Sequence, residues 1–490
     1  MTAASAALDA AGGRALPLVI QGGMGVAVSS WRLASAVARA GQLGVVSGTA
    51  LDLVMARRLE DGDRDGAIRR ALAAFPVPEM AARVLARFFR PDGRPPGVPY
   101  TPVPRLAVRQ GRPAQELGVL ANFAEVWLAK EGHDGLVGIN FLEKVQMATP
   151  TAAYGAMLAG VDYVLMGAGI PRDIPRLLND LAGHHPVRLP IEVAGAVAGS
   201  YTVDLDPRAL LGADLAPLRR PTFLAIVSAH VLAAYLARDE HIRPDGFVIE
   251  GSPAGGHNAP PRGRLVLDEL NQPIFGPRDD ADLDKVAAVG LPFWLAGAVG
   301  TPEALATARA TGAVGVQVGT LFALSNESGL ENGTRLDLLA RLRAGTLEVR
   351  TDALASPTGF PFKVAQLPGT LSDPVTSAAR PRLCDLGYLR TPYLRGAGSI
   401  GYRCRAEPVH VYLRKGGAAE ETAGRECLCN SLLANVGLGQ TRPDGYTEQP
   451  LVTLGADLDG ARRLAATHPD GWSADEALEW LLGAAARPAH

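Results

Sequence analysis

Eight short apolar runs, separated by segments with helical periodicity, are the feature that most limits how this chain can fold. The runs are continuously apolar rather than alternating, which is typical of strands buried on both faces of a parallel sheet. Amphipathic segments between them predict a helix after each strand. The runs cover residues 18–21, 43–47, 137–140, 163–166, 223–227, 246–250, 293–296 and 315–318.

Eight consecutive strands of this kind favour a (β/α)8 barrel, the TIM barrel, over an open doubly wound sheet, which the pattern leaves as an alternative. The predicted barrel covers residues 15–350 and carries insertions at about 76–135 and 190–220. Residues 351–490 are predicted to form a C-terminal appendage that holds all four cysteines.

Composition narrows the class of protein. Hydrophobic residues make up 47% and charged residues 20% of the chain, as in ordinary globular proteins. The balance of 48 basic and 50 acidic residues gives a net charge of −2, so neither nucleic acid nor an anionic membrane is an expected partner. No apolar stretch is long enough to span a bilayer, and residues 1–14 lack the regions of a signal peptide. We therefore expect a cytoplasmic protein.

Glycine-rich loops follow the first, seventh and eighth predicted strands. They cover residues 22–25, 297–300 and 317–320. In a (β/α)8 enzyme the active site lies at the carboxyl ends of the strands, and backbone N–H groups after strands seven and eight form the usual phosphate site. Ordinary turns are the alternative interpretation.

A histidine, His257, follows two glycines in the loop after the sixth strand. Imidazole titrates near neutral pH, so it can move a proton or hydrogen-bond a negative group of a substrate. We interpret His257 as catalytic, with a structural histidine as the alternative.

Together these segments resemble the nitronate monooxygenase (2-nitropropane dioxygenase-like) family and the related FMN-dependent enoyl-acyl-carrier-protein reductases. The resemblance covers roughly residues 15–330 and implies a TIM barrel that binds FMN without a covalent link. By this resemblance His257 is the catalytic residue. The resemblance assigns FMN binding to Gln21, Gly22, Gly23, Met24, Asn140, Glu250, Gly255, Gly256, Gly297, Gln317, Gly319 and Thr320.

The sequence departs from the family pattern at two positions. The residue seven before the histidine, often Gln in the monooxygenases, is Glu250, and the usual double glycine after strand seven reads Gly297-Ala298. A carboxylate beside the flavin disfavours an anionic substrate unless it is neutral or paired. Lys363, in a segment that lies near the flavin in the family, is predicted to contact the flavin or else to lie in a surface loop.

The resemblance implies an FMN-dependent oxidoreductase that oxidises a nitronate-like or other small anionic substrate with O2. One alternative is an NAD(P)H-dependent enoyl-thioester reductase of fatty acid or polyketide synthesis. Another is a non-catalytic flavin- or metal-binding subunit of a larger complex. The expected partners are a small-molecule substrate with O2 or NAD(P)H, and a homodimer is left open.

The cysteines are concentrated in one short stretch of the C-terminal region. Thiolates are soft ligands that suit zinc or an iron–sulfur cluster, so a metal site is predicted here. The spacing matches neither the usual zinc nor the ferredoxin pattern, and buried free thiols, disulfides or redox use are alternatives. The predicted ligands are Cys384, Cys404, Cys427 and Cys429.

Overall fold

The computed structural model describes residues 15–396 and 398–483. The prediction that residues 1–14 contain no signal peptide concerns a segment outside these ranges. None of the helices in the described ranges combines the length and the apolar character that crossing a bilayer requires.

The β-strands of this part of the chain are short, in keeping with the short apolar runs. In chain order they are β1 (Val19–Gln21), β2 (Leu43–Ser47), β3 (Val137–Leu142), β4 (Tyr163–Gly167), β5 (Val187–Pro190), β6 (Thr202–Leu205), β7 (Thr222–Val227), β8 (Gly246–Glu250), β9 (Phe293–Ala296), β10 (Gly315–Val318), β11 (Val349–Asp352), β12 (Phe362–Ala365), β13 (Thr391–Leu394) and β14 (Ile400–Arg403).

Helices lie between most of the barrel strands, and the described residues also contain the 3₁₀ helices Glu143–Ala148 and Ala419–Thr422. The α-helices are α1 (Trp31–Arg39), α2 (Leu51–Glu60), α3 (Ala67–Ala73), α4 (Pro78–Phe88), α5 (Arg112–Lys130), α6 (Thr149–Leu158), α7 (Ile174–Ala182), α8 (Pro207–Leu211), α9 (His230–Ala237), α10 (Leu283–Ala287), α11 (Pro302–Ala310), α12 (Thr320–Ala323), α13 (Asn332–Arg343), α14 (Pro374–Ala379), α15 (Val409–Arg414), α16 (Leu428–Ala434), α17 (Asp459–Thr467) and α18 (Ala474–Leu482).

Eight strands close into a barrel in the order β1-β10-β9-β8-β7-β4-β3-β2, and every neighbouring pair is parallel. These are the eight strands predicted from the apolar runs, with small shifts at their ends. The structure therefore confirms the (β/α)8 barrel, and the open doubly wound sheet is wrong.

Alternate residues of the barrel strands fill its interior, while the others pack outward against the helices. This division explains why the strands are apolar on both faces. Trp294 fills much of the interior, and its indole Nε1 donates a hydrogen bond to the carbonyl oxygen of Pro17 at 2.8 Å. The buried interior residues are Ile20, Leu43, Val45, Tyr163, Leu165, Leu224, Ile226, Val248, Trp294 and Ala296.

The remaining chain packs around this barrel. Strands β5 and β6 form an antiparallel hairpin at the start of the insertion predicted at about 190–220, and β11–β12 and β13–β14 form two further antiparallel pairs. Trp472, near the end of the described chain, is fully buried, and its Nε1 donates to the carbonyl oxygen of Leu321 at 2.9 Å. C-terminal residues thus belong to the same hydrophobic core as the helices that surround the barrel. The domain division at residue 350 stays a prediction.

Barrel closure should be sensitive to Gly315, because a Cβ added there would lie 1.9 Å from the carbonyl oxygen of Leu18. We expect Gly315→Ala to push the adjoining chain apart and to lower the free energy of unfolding by about 1–3 kcal/mol. Gly276→Ala is the matched control, since a Cβ there meets nothing within 4 Å. Thermal unfolding checks this, and equal midpoints for the two variants would contradict it.

Candidate active site

A cavity of about 260 Å³ lies at the carboxyl ends of the barrel strands. Parallel strands in a closed barrel bring their carboxyl ends to one rim, so residues far apart in sequence meet there. The cavity wall includes all but one of the predicted FMN-binding and catalytic residues. Those on the wall are Gly22, Gly23, Met24, Asn140, Glu250, Gly255, Gly256, His257, Gly297, Gln317, Gly319 and Thr320.

Gln21 differs from this prediction, because its side chain is buried inside the protein and is not part of the cavity wall. Its Nε2 donates to the carbonyl oxygen of Gly22 and to Ser29 Oγ at 2.9 Å, and its Oε1 accepts from the Val45 backbone N–H at 3.0 Å. The Gln21 amide therefore holds the loop after β1 in place from the protein interior, and this loop forms part of the cavity wall.

Two buried amide oxygens on the wall lack a hydrogen-bond partner in the described residues: Asn140 Oδ1 and Gln317 Oε1. The Asn140 Nδ2, by contrast, donates to the carbonyl oxygen of Gly23 at 3.3 Å. An unpaired buried acceptor costs free energy, so both oxygens need a donor from a ligand. A flavin, with its ring N–H and ribityl hydroxyl groups, supplies such donors, and the residues present fit FMN.

The end of the cavity expected to hold a phosphate is built from three loops rather than two. The third is a C-terminal segment, residues 453–461, that the sequence analysis did not identify. Its Gly455 N–H donates to Thr320 Oγ1 at 3.0 Å, which ties it to the loop after β10. In the loop after β9, Ala298 takes the left-handed conformation, with φ of 57°, at the position where the family pattern has glycine.

The histidine loop is held between this C-terminal segment and β12. Gly256 donates its N–H to Thr453 Oγ1 and accepts from the Lys363 N–H, both at 2.9 Å. A Cβ at Gly255 would lie 2.9 Å from the Leu454 carbonyl carbon, so packing of the two loops alone requires glycine there. The family resemblance assigned Gly255 to FMN binding and did not indicate this packing of the two loops.

His257 itself is positioned by the segment after the barrel. Its Nε2 lies 2.7 Å from Ser356 Oγ, and its ring packs edge-on against Phe362 with the ring centroids 4.8 Å apart. Burial, assisted by the positive charge of Lys144, lowers the pKa of His257 to about 4. The imidazole is therefore neutral at neutral pH.

The charges of Glu250 and Lys363 each affect the pKa of the other group. Burial raises the pKa of Glu250 to about 7, and Lys363 opposes the shift. Burial lowers the pKa of Lys363 to about 8, and Glu250 opposes that shift. Lys363 is buried in β12, where its Nζ hydrogen-bonds Thr351 Oγ1, and it is not part of the cavity wall. The surface-loop alternative for Lys363 is wrong.

The rest of the wall is mainly apolar. Among the described residues that line the cavity there is no lysine or arginine; the carboxyl groups are Glu250 and Asp457. Residues from the C-terminal region add an apolar face that the sequence analysis missed, since no motif marks it. This face consists of Tyr388, Leu389, Leu428, Cys429 and Leu432.

The four cysteines pack against one another beside this face. Cys404 and Cys427 are buried, Cys384 and Cys429 are half-buried, and all four are free thiols. Across residues 15–396 and 398–483, no set of three or more His, Cys, Asp or Glu side chains is arranged to hold a metal ion. The proposed zinc or iron–sulfur site therefore gains no support from the geometry and stays a prediction.

Residues 216–352 match the nitronate monooxygenase family model, which confirms the family resemblance for this part of the chain. The matched stretch contains β7 to β10 and includes the His257 loop and the two loops after β9 and β10. This region of the chain is thus similar to a family of oxidoreductases.

A curated relative from Mycobacterium tuberculosis, named (3aS,4S,5R,7aS)-5-hydroxy-7a-methyl-1-oxo-octahydro-1H-indene-4-carboxyl-CoA dehydrogenase, is 31% identical over 111 residues. The match covers 22% of this chain and 28% of that relative. FabK from Thermotoga maritima is 17% identical, with 97% of this chain and 94% of that chain covered and a TM-score of 0.47. A nitroalkane oxidase from Streptomyces ansochromogenes is 16% identical, with 88% and 98% covered and a TM-score of 0.39.

Because the pKa of His257 is lowered in the folded protein, the direction in which its contribution to stability changes with pH can be predicted. The unfolded chain, with a histidine pKa of 6.5, binds more protons than the folded protein between pH 6.5 and about 4. The stability linked to His257 is therefore complete above pH 6.5 and is lost as the pH falls through this window. We expect His257→Asn to lose less stability on acidification than the wild type.

Unfolding midpoints measured between pH 7 and pH 4 test this expectation. The raised pKa of Glu250 acts with the opposite sign, so the difference between variant and wild type, rather than either curve alone, isolates His257. His241→Asn, at an exposed position, is the control and should follow the wild type. If the unfolding midpoints of His257→Asn and the wild type changed with pH in parallel, the lowered pKa of His257 would be contradicted.

Proposed function

We propose that this chain is an FMN-dependent oxidoreductase. The observation that carries the proposal is the cavity at the strand ends, where the unpartnered oxygens of Asn140 and Gln317 need donors from a ligand. The family match over residues 216–352 supports it, since that stretch supplies the histidine loop and two of the three loops at the phosphate end.

The residues that would hold FMN divide along the cavity. The loop after β1 and Asn140 would contact the ring and ribityl chain, and the loops after β9 and β10 would surround the phosphate with backbone N–H groups. FMN, when bound, exchanges electrons with the substrate. The protein's part is to bind, orient and exclude water, and the C-terminal segment closes the phosphate end.

His257 acts on the substrate as a neutral imidazole. A neutral imidazole offers one donor and one acceptor nitrogen, and Ser356 engages Nε2. The other nitrogen is left to orient a carbonyl group or to move a proton at the reacting carbon. Because the ring carries no charge, it offers an anion a hydrogen bond but no ion pair.

Two substrate classes follow from the family. The first is a nitronate-like or other small anionic substrate, oxidised with O2. Such an anion would meet no lysine or arginine among the described wall residues and would approach the carboxyl group of Glu250. Desolvating an anion without a counter-charge is costly, so the electrostatics oppose this class.

The second class is a neutral acyl or enoyl thioester, reduced with electrons from NAD(P)H. The apolar face from Tyr388 to Leu432 favours it, because an acyl chain is stabilised there by burial. The curated relative from Mycobacterium tuberculosis is named as a carboxyl-CoA dehydrogenase, which supports the same kind of substrate. The geometry therefore favours enoyl-thioester reduction over nitronate oxidation.

FMN binding should depend on Asn140. We expect Asn140→Ala to weaken FMN binding about 2- to 13-fold, because it removes a hydrogen bond worth about 0.5–1.5 kcal/mol. Quenching of FMN fluorescence on titration with protein measures the dissociation constant. Asn179→Ala, which removes an amide on the exposed side of α7, is the control. Equal affinities for the two variants would remove Asn140 from the FMN site.

Anaerobic spectroscopy of the FMN-loaded protein separates the substrate classes. We expect NADPH to bleach the FMN absorbance and a short enoyl-CoA to restore it, while the nitronate of nitroethane leaves the oxidised spectrum unchanged. Bleaching by the nitronate but not by NADPH would make the chain a nitronate oxidase. No response to either reagent, with FMN retained, would favour the non-catalytic subunit.

A further inference from the structure

A chain of hydroxyl groups starts at His257 and lies outside the cavity wall. His257 Nε2 lies 2.7 Å from Ser356 Oγ, and Ser356 Oγ lies 2.8 Å from Thr358 Oγ1. Ser356 is fully buried, whereas Thr358 is half-buried, so part of Thr358 meets solvent. Neither residue belongs to the cavity wall. The chain therefore joins the imidazole to solvent by a route separate from the cavity.

Neighbouring groups of the loop between β11 and β12 hold both hydroxyls in place. The Thr358 N–H donates to Ser356 Oγ, and the Phe360 N–H donates to Thr358 Oγ1, both at 3.2 Å. Arg425 Nη1 donates to the carbonyl oxygen of Ser356 at 2.8 Å, which fixes the backbone at that residue. A hydroxyl group can donate one hydrogen bond while it accepts others. Each link of the chain can therefore pass a proton in either direction.

We propose that Ser356 and Thr358 are positioning residues that carry protons between solvent and His257 during turnover. The inference rests on the proposed function only in so far as His257 exchanges a proton with the substrate. It holds for a reduction, in which His257 gives a proton, and for an oxidation, in which His257 takes one.

The surroundings of His257 explain why such a route is needed. The side of the ring that faces the cavity loses contact with water when cofactor and substrate fill the cavity. Burial, assisted by the positive charge of Lys144, lowers the pKa of His257 and so opposes a second proton on the ring. A neutral ring that gives up its one proton becomes an imidazolate unless another proton arrives at the second nitrogen.

In a reduction, the proton on Nδ1 of His257 passes to the substrate carbon, where the electron pair of the enolate forms the new C–H bond. Nε2 takes the proton of Ser356, Ser356 takes that of Thr358, and Thr358 takes one from water. The imidazole stays neutral and changes only its tautomer, and solvent neutralises the hydroxide that remains. After product release the chain returns the proton from Nε2, while water in the emptied cavity reprotonates Nδ1.

Hydrogen exchange at the imidazole tests this chain without any substrate. The full chain with FMN added carries 15N-labelled histidine, and NMR measures how fast the ring N–H of His257 exchanges with water. His257→Asn identifies the signal. We expect Thr358→Val to slow the exchange about tenfold and Thr358→Ser, which keeps the hydroxyl, to restore it. Thr346→Val, at an exposed position, is the matched control and should behave as the wild type.

A purely structural role for Thr358 gives the opposite result, because a loosened loop admits water and speeds the exchange. Equal or faster exchange in Thr358→Val would overturn the proposal, and so would equally slow exchange in Thr358→Ser. These outcomes do not require turnover. Failure of the proposed function is a separate result, an FMN spectrum that neither NADPH nor a nitronate changes.

A measurement on the wild type decides the question even if a variant fails to fold. The step in which enoyl-CoA restores the FMN absorbance, or in which a nitronate bleaches it, is timed in mixtures of H2O and D2O. Several protons that move together give a curved dependence of the rate on the deuterium fraction, whereas one proton gives a straight line. We expect the curve, and a straight line would overturn the relay.

Discussion

Closure of the parallel barrel is the constraint on which the rest of the structure depends. Each strand pairs with two parallel neighbours, so the loops that leave all eight strands are forced onto one rim. Gly22, Asn140, His257 and Gln317 are far apart in sequence and meet only because the circle closes. The interior is packed solid around Trp294, which leaves the rim as the place where a ligand can lie.

The rim is not complete without the C-terminal region. Residues 453–461 close the end of the cavity beside the loops after β9 and β10, and Ser356 holds the imidazole of His257. These additions also remove water from the site. Desolvation is the largest cause of the pKa shifts of His257, Glu250 and Lys363. C-terminal residues contribute to these surroundings, since Ser356 and Phe362 contact the imidazole of His257.

The barrel and most of its wall could be predicted because they depend on local signals. A strand that is buried on both faces must be apolar. A loop position whose Cβ would collide with a neighbouring backbone must be glycine, as at Gly255. The place of the Gln21 side chain behind the wall could not be predicted, because the same residue type serves a ligand or a neighbouring loop equally well. The apolar face around Leu428 could not be predicted, since it follows from long-range packing and carries no motif.

Glu250 illustrates how one residue shifts the chemistry of a shared fold. An amide at this position would be neutral at every pH, but a carboxyl group must be protonated or matched by a cation. Here burial raises the pKa of Glu250 to about 7, and the positive charge of Lys363, outside the cavity wall, opposes that shift. The positive charge of Lys363 lies behind the cavity wall, where it acts on Glu250, and is not exposed to a ligand. This arrangement of charges supports the proposal of a neutral rather than an anionic substrate.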